Sequence, residues 1–192
     1  LPTGEPIRSN ITVVDPDGTT TKLNAPGTVF DAELRQKLDE LVVERSKGAD
    51  WVVLAGSLPP GLEPAYYSEL VAALRASGYE GKIAIDTSEA PLIATVAGEH
   101  KPTLIKPNSE ELAQLTGSDN WEELEASPEL TARTAQKLLG DGIEYVLATL
   151  GGGGAVLVTE QGIWHAVHEP IQVRSTVGAG DSSLSGFLIA HT

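Results

Sequence analysis

Cysteine and methionine are both absent from the 192 residues. Without a thiol the chain can form no disulfide, no thiolate nucleophile and no Cys-ligated zinc site. The lack of any Met, with Leu1 at the start, reads as a sequence taken from inside a longer reading frame. Cations are scarce: 13 Lys and Arg stand against 27 Asp and Glu, a formal charge of −14. That balance disfavours nucleic acid and anionic membrane surfaces as partners. It also repels phosphorylated ligands, so any such ligand has to be held by a few local cations and backbone amides. Long apolar runs are missing too. The strongest, Trp51 to Ala55, is far too short to cross a bilayer. The first residues show neither a basic start nor an apolar signal segment, so a cytoplasmic location is expected. What remains is ordinary, with 41% hydrophobic residues, enough for one domain with a full core.

β-prone runs from Ser9 to Val14 and from Thr19 to Asn24 flank Asp15-Pro16-Asp17-Gly18, whose residue types predict a tight turn and a β-hairpin. The hairpin is rich in Thr and only half apolar, which suits a flap better than a core strand. Asp31 is placed to cap a helix whose stripe Leu34, Leu38, Leu41 and Val42 is expected to be core, with Gly48 as its stop. From there strands and helices alternate. Trp51–Ala55 reads as a buried parallel strand, 64–77 as a helix, 83–86 as a strand and 90–97 as a short helix. A strand over 103–106, an acidic surface loop over 120–128 with at most a helical turn, and a helix to Leu139 follow. Strands over 145–150 and 155–159 enclose four glycines. This alternation implies right-handed βαβ units and a three-layer α/β fold with a mostly parallel sheet. Loops at the carboxyl ends of such strands are where ligands bind.

Four segments carry candidate chemistry. Near the end, Thr176-Val177-Gly178-Ala179-Gly180-Asp181 runs through a glycine turn into a helix with Leu184, Phe187 and Leu188 at helical spacing. Amides of such a turn suit a phosphate. A carboxylate beside them repels a resting phosphate, but fits a group that takes a proton from a hydroxyl while the amides hold the phosphoryl group under attack. Asp181 as a plain helix cap is the competing reading. A dinucleotide fingerprint fits less well, since its third glycine would fall on Ser183. Upstream, Lys106-Pro107-Asn108-Ser109-Glu110-Glu111 ends a strand; Asn108 and Glu111 are also spaced as a capping box. Thr149-Leu150-Gly151-Gly152-Gly153-Gly154 is either a nucleotide-hugging turn or a flexible hairpin loop. Gly56-Ser57-Leu58-Pro59-Pro60-Gly61 is a stiff loop in which Ser57 offers a hydroxyl and an amide. His165 and His168 point only weakly to a metal, because no acidic or Cys partners lie at ligand spacing.

Taken in order, these four segments resemble the ribokinase-like sugar kinases of the PfkB family, and within it the kinases of hexose phosphates. The likeness covers nearly the whole chain and implies a ribokinase-like fold, with residues 8–25 forming part of a lid on a single, partial kinase domain spanning 1–192. It implies ATP and Mg²⁺ as cofactors and phosphorylation of a hexose monophosphate. Fructose 1-phosphate is the first expected acceptor, with tagatose 6-phosphate, fructose 6-phosphate or a catalytically incomplete phosphosugar-binding fragment as alternatives. By the same resemblance Asp181 is the base and Gly178, Ala179 and Gly180 form the anion hole. Lys106, Asn108, Thr149, Leu150, Gly151, Gly152, Gly153, Gly154, Thr176 and Gly180 meet nucleotide. Glu111 orients Mg²⁺; Arg8, Ser57 and Asp181 meet the sugar phosphate. A homodimer through the lid edge is implied as well. The excess of glycine in 151–154 departs from the family pattern.

Overall fold

The computed structural model describes residues 1–6, 8–15, 20–169, 173 and 176–191. Two strands, β1 (Asn10–Val14) and β2 (Thr20–Asn24), pair antiparallel with Ile11 opposite Leu23. The hairpin is therefore as predicted, although residues 16–18 of its expected turn lie outside the described residues. Six further strands form one sheet in sequence order: β3 (Trp51–Ala55), β4 (Lys82–Asp86), β5 (Leu104–Ile105), β6 (Tyr145–Thr149), β7 (Ala155–Thr159) and β8 (Gly162–Ala166). β3 to β6 are parallel and β7 and β8 antiparallel, so the sheet is mostly parallel, as expected.

Side chains alternate across this sheet with period two. Val52, Leu54, Ile83, Ile85, Ile105, Val146 and Ala148 point into the larger core. There they meet α2 (Tyr66–Ala76), through Leu70, Val71 and Leu74, and α4 (Ser109–Thr116), through Leu112. Trp51, Ala84, Leu104 and Tyr145 face the other way, against Leu184, Phe187 and Leu188 of α7 (Ala179–His191). Helices thus lie on both faces, giving three layers. Leu104, 0% exposed, joins β5 to α7. Leu104→Ala is expected to cost about 2–5 kcal/mol, because few neighbours can collapse into the space; urea unfolding measures it.

The structure corrects several expectations. α1 (Ala32–Ser46), capped by the Asp31 carboxylate at 2.8 Å from the Leu34 N–H, buries its apolar stripe only halfway. Leu38, Val42 and Val43, rather than Leu41, reach the core. β3 is not fully buried, and Val53 is 42% exposed, because β3 is the edge strand of the described sheet. Residues 121–126 are a helix, α5 (Trp121–Ala126), rather than a surface loop. Asn120 accepts from the Glu123 N–H at 3.2 Å to start it, and Leu124, 1% exposed, ties it to the core. α6 (Pro128–Ala135) starts on Ser127 and Pro128 as expected, but its last turn, 136–138, tightens to a 3-10 helix. α3 (Glu89–Ala97) completes the set.

Candidate functional site

Three of the four segments leave the sheet at the carboxyl end of a strand, so the fold gathers them along one edge, and the fourth, residues 176–181, meets them through Lys106. Ser57 follows β3, Lys106 follows β5, and Thr149 ends β6. Asp86 ends β4 between them. Hydrogen bonds stitch the loops together. The Gly56 N–H donates to the Asp86 carbonyl at 2.8 Å, and the Thr87 hydroxyl returns a bond to the Gly56 carbonyl at 2.8 Å. Asn108 and Thr149 form a parallel bridge, with the Thr149 N–H donating to the Pro107 carbonyl at 3.0 Å.

Lys106 is the centre. Only 5% exposed, its ammonium lies 3.0 Å from the Asp86 carboxylate. A Cβ placed on Gly180 would sit 3.1 Å from the same Nζ. Lys106 therefore abuts the first turn of α7, whose backbone N–H groups have no partner within the helix. Gly178 supplies the left-handed φ of +77° that turns the chain into this helix. Residues separated by 74 positions are thus brought to one spot, and a cation and a helix amino terminus converge there. One expected donor is partly spent, since the Ala179 N–H already donates to the Thr176 carbonyl at 3.1 Å. Thr176 itself is exposed. Asp181 lies in the first turn of α7, exposed, and forms no ion pair among the described residues. Residues 174 and 175, which lead into the turn, lie outside the described residues.

Asn108 and Glu111 do form the capping box: the Asn108 side chain accepts from the Glu111 N–H, and Glu111 Oε2 from the Asn108 N–H, both at 2.8 Å. Capping and ligand binding are compatible, because one oxygen of the carboxylate is not used by the cap. Burial pushes the Glu111 carboxyl above the usual carboxylate range, opposed by the Asn108 N–H and by the Lys106 charge. No group of three or more His, Cys, Asp or Glu that could hold a metal gathers among the described residues. The one oxygen of the Glu111 carboxylate outside the cap is a hard donor of the kind that suits Mg²⁺, an ion that keeps several of its own waters and is bound through one or two carboxylates.

Gly151–Gly153 form a single 3-10 turn between β6 and β7. Glu125 of α5 closes one side of it, its Oε1 being 3.0 Å from where a Gly151 Cβ would lie. Trp121, Glu125, Leu150, Gly152 and Gly153 line a hollow of about 480 Å³ on that side. His165, an exposed residue of β8, bonds the Gly153 carbonyl at 2.8 Å and braces the turn. Arg8, from the hairpin's base, donates to the Ser57 hydroxyl at 3.0 Å, so the two residues expected at the sugar phosphate meet. A larger cavity of about 750 Å³ lies between the amino-terminal segment and α1. It meets the site through Arg8, and its lining is of mixed charge, with Glu5, Asp31 and Glu33 beside Arg8 and Lys37.

Sequence reasoning left Asp86 without a role and did not foresee the brace that His165 forms from the exposed strand β8. Asp86 is the one that could have been found, since a lone Lys bound for the interior needs a carboxylate, and carboxyl ends of neighbouring parallel strands are where to look for it.

A mostly parallel α/β sheet with a helix amino terminus and a buried lysine meeting at its edge has the features by which α/β folds hold phosphates. The family model for pfkB family carbohydrate kinases matches residues 2–191, and the chain belongs to that family. It is 35% identical to 1-phosphofructokinase of Rhodobacter capsulatus over 96% of this chain and 56% of that protein. Phosphofructokinase-2 from Escherichia coli, solved in complex with substrates and products, matches with a TM-score of 0.80 at 30% identity, over 94% of this chain and 56% of that one. A possible 1-phosphofructokinase from Thermotoga maritima shares the fold, with a TM-score of 0.72 at 21% identity, over 95% of this chain and 55% of that one. The chain thus spans about half the length of these relatives, and its fold is the ribokinase-like one expected.

Proposed function

We propose that the protein is an ATP-dependent phosphosugar kinase, transferring the γ-phosphoryl group to a hydroxyl of a hexose monophosphate. Fructose 1-phosphate, giving fructose 1,6-bisphosphate, is the acceptor placed first, because the 35% likeness to a 1-phosphofructokinase spans nearly the whole chain. Tagatose 6-phosphate and fructose 6-phosphate are its competitors; the Escherichia coli relative at 27% identity was solved with fructose-6-phosphate. The single observation that carries the reading is the meeting of Lys106 with the Gly180 turn.

In this reading Asp181 accepts the proton of the attacking hydroxyl as its oxygen bonds to phosphorus and the bond to ADP breaks. Amides of the turn from Gly178 to Asp181, with Lys106 beside them, hold the phosphoryl oxygens on which charge is spread. Asn108, Thr176 and the turn from Thr149 to Gly154 hold nucleotide, while Arg8 and Ser57 hold the phosphate already on the sugar. Glu111 would hold Mg²⁺, which when bound offsets charge on the β- and γ-phosphates. The test is ATP consumption with fructose 1-phosphate, fructose 6-phosphate, tagatose 6-phosphate and ribose in turn. Fastest turnover is expected with fructose 1-phosphate; consumption with ribose alone, or with none, would refute a phosphosugar kinase.

The hairpin gives reason for a homodimer. Ile11 and Leu23 are paired across it, Val13 lies on the same face two residues on, and all three are exposed. A contiguous apolar strand face left bare invites a second copy. Leu23→Asp is expected to shift the protein to the monomer in analytical ultracentrifugation, and an unchanged dimer would place the contact elsewhere.

A further inference from the structure

We infer that Asp86 is a positioning residue of this site, acting through Lys106 rather than on the reactants, an inference that rests on the kinase reading above.

The geometry allots Asp86 a place between two ligand loops. Its carbonyl is fixed by the Gly56 N–H, one residue before Ser57, and its carboxylate takes the Lys106 ammonium at 3.0 Å. Both side chains are withdrawn from solvent, with 17% of the Asp86 and 6% of the Lys106 side chain exposed. A lysine stem has four rotatable carbons, and its ammonium is a strongly hydrated point charge. Withdrawn from water, it holds one direction only where a carboxylate meets it. Another charged group near it among the described residues is Glu111 of α4, which already accepts the Asn108 N–H. Asp86 is thus the group that keeps the ammonium pressed against Gly180 rather than swung toward the capping box. Any residue larger than glycine at position 180 would crowd the same ammonium, whose Nζ lies 3.1 Å from the Cβ position.

A double-mutant cycle decides between acting through Lys106 and acting directly. The wild-type protein, Asp86→Asn, Lys106→Met and the double variant are compared in kcat and in KM for ATP and for fructose 1-phosphate at saturating Mg²⁺. Asp86→Asn is expected to lower kcat by about 10- to 100-fold, the usual loss when an outer-shell partner of a working group is removed, with KM for the sugar phosphate unchanged. In the Lys106→Met background the same change should cost less than about twofold, and Asp86→Glu should recover part of the lost rate. Losses that multiply would mean that Asp86 touches Mg²⁺ or the reactants itself, and would overturn the inference. Should Asp86→Asn alone fail to fold, the double variant has no stranded charge, and its comparison with Lys106→Met still decides.

If the wild-type protein phosphorylates none of the sugars, the kinase reading fails separately, and ATP binding by calorimetry takes over. Equal weakening in Asp86→Asn, Lys106→Met and the double variant supports the positioning role. Unchanged affinity in Asp86→Asn, or no ATP binding by the wild type, overturns it.

Discussion

Asp181→Asn is expected to lower kcat by about 10²-fold or more while leaving ATP and sugar-phosphate binding within about threefold of the wild type. The substitution keeps the shape of the side chain and its hydrogen-bonding oxygen but removes its ability to take a proton. The competing account of this residue is electrostatic: a carboxylate in the first turn of α7 interacts favourably with the helix dipole. That interaction contributes about 0.3–1 kcal/mol to stability at an exposed position. As a change in rate, 1 kcal/mol is only about fivefold, whereas a lost general base is two to four powers of ten. The two accounts are therefore separable by size as well as by kind. If Asp181 is only a helix-end charge, the variant melts slightly earlier and turns over almost normally, and the base must be sought elsewhere. The exposure of Asp181 and the lack of an ion pair among the described residues are what a base meeting substrate requires. A carboxylate already locked in a salt bridge would be a poor proton acceptor.

Much of this architecture could be read before the coordinates. The parallel strands and the loops at their carboxyl ends follow from apolar runs punctuated by Gly, Pro and Asn, because those residues act locally. Asn108 and Glu111 form the capping box that their spacing allowed, and Arg8 meets Ser57. The misreadings share a cause. Burial is a property of neighbours, so neither the open edge at β3 nor the half-buried stripe of α1 could be deduced from patterns that look like core. α5 was hidden because only Leu124 in its six residues is buried, too few to give a period. Its Asn120 cap with Glu123 three positions on was the available signal. The Asp86–Lys106 pair was missed for another reason: the partners stand twenty residues apart and meet because β4 and β5 are adjacent and parallel, so only that adjacency could have pointed to it.

The glycine turn lends itself to a paired substitution in which stability and ligand binding point in different directions. Gly154 has φ +89° and ψ −136°, a region that side-chain-bearing residues scarcely enter. A Cβ there would also interpenetrate the Ala166 carbonyl and lie 3.1 Å from the Val167 Cα. Strain of about 1–3 kcal/mol and a clash of similar size add, so Gly154→Ala should lose about 3 kcal/mol or more and loosen the β7–β8 pairing. Gly152 differs: a Cβ there meets nothing within 4 Å, and its φ is not in the left-handed range. Gly152→Ala should therefore fold with stability unchanged to within about 0.5 kcal/mol. If the turn holds the triphosphate by close backbone approach, that extra methyl stands where phosphate oxygens must come, and KM for ATP should rise about tenfold with kcat at saturation little altered. If the turn is only a hairpin connection, Gly152→Ala will bind ATP normally, and the lower stability of Gly154→Ala will be the sole effect of altering this segment. Urea unfolding and ATP titration on the two variants give four numbers. Normal ATP binding by a well-folded Gly152→Ala protein would remove residues 151–154 from the nucleotide site while leaving Lys106 and the α7 turn untouched.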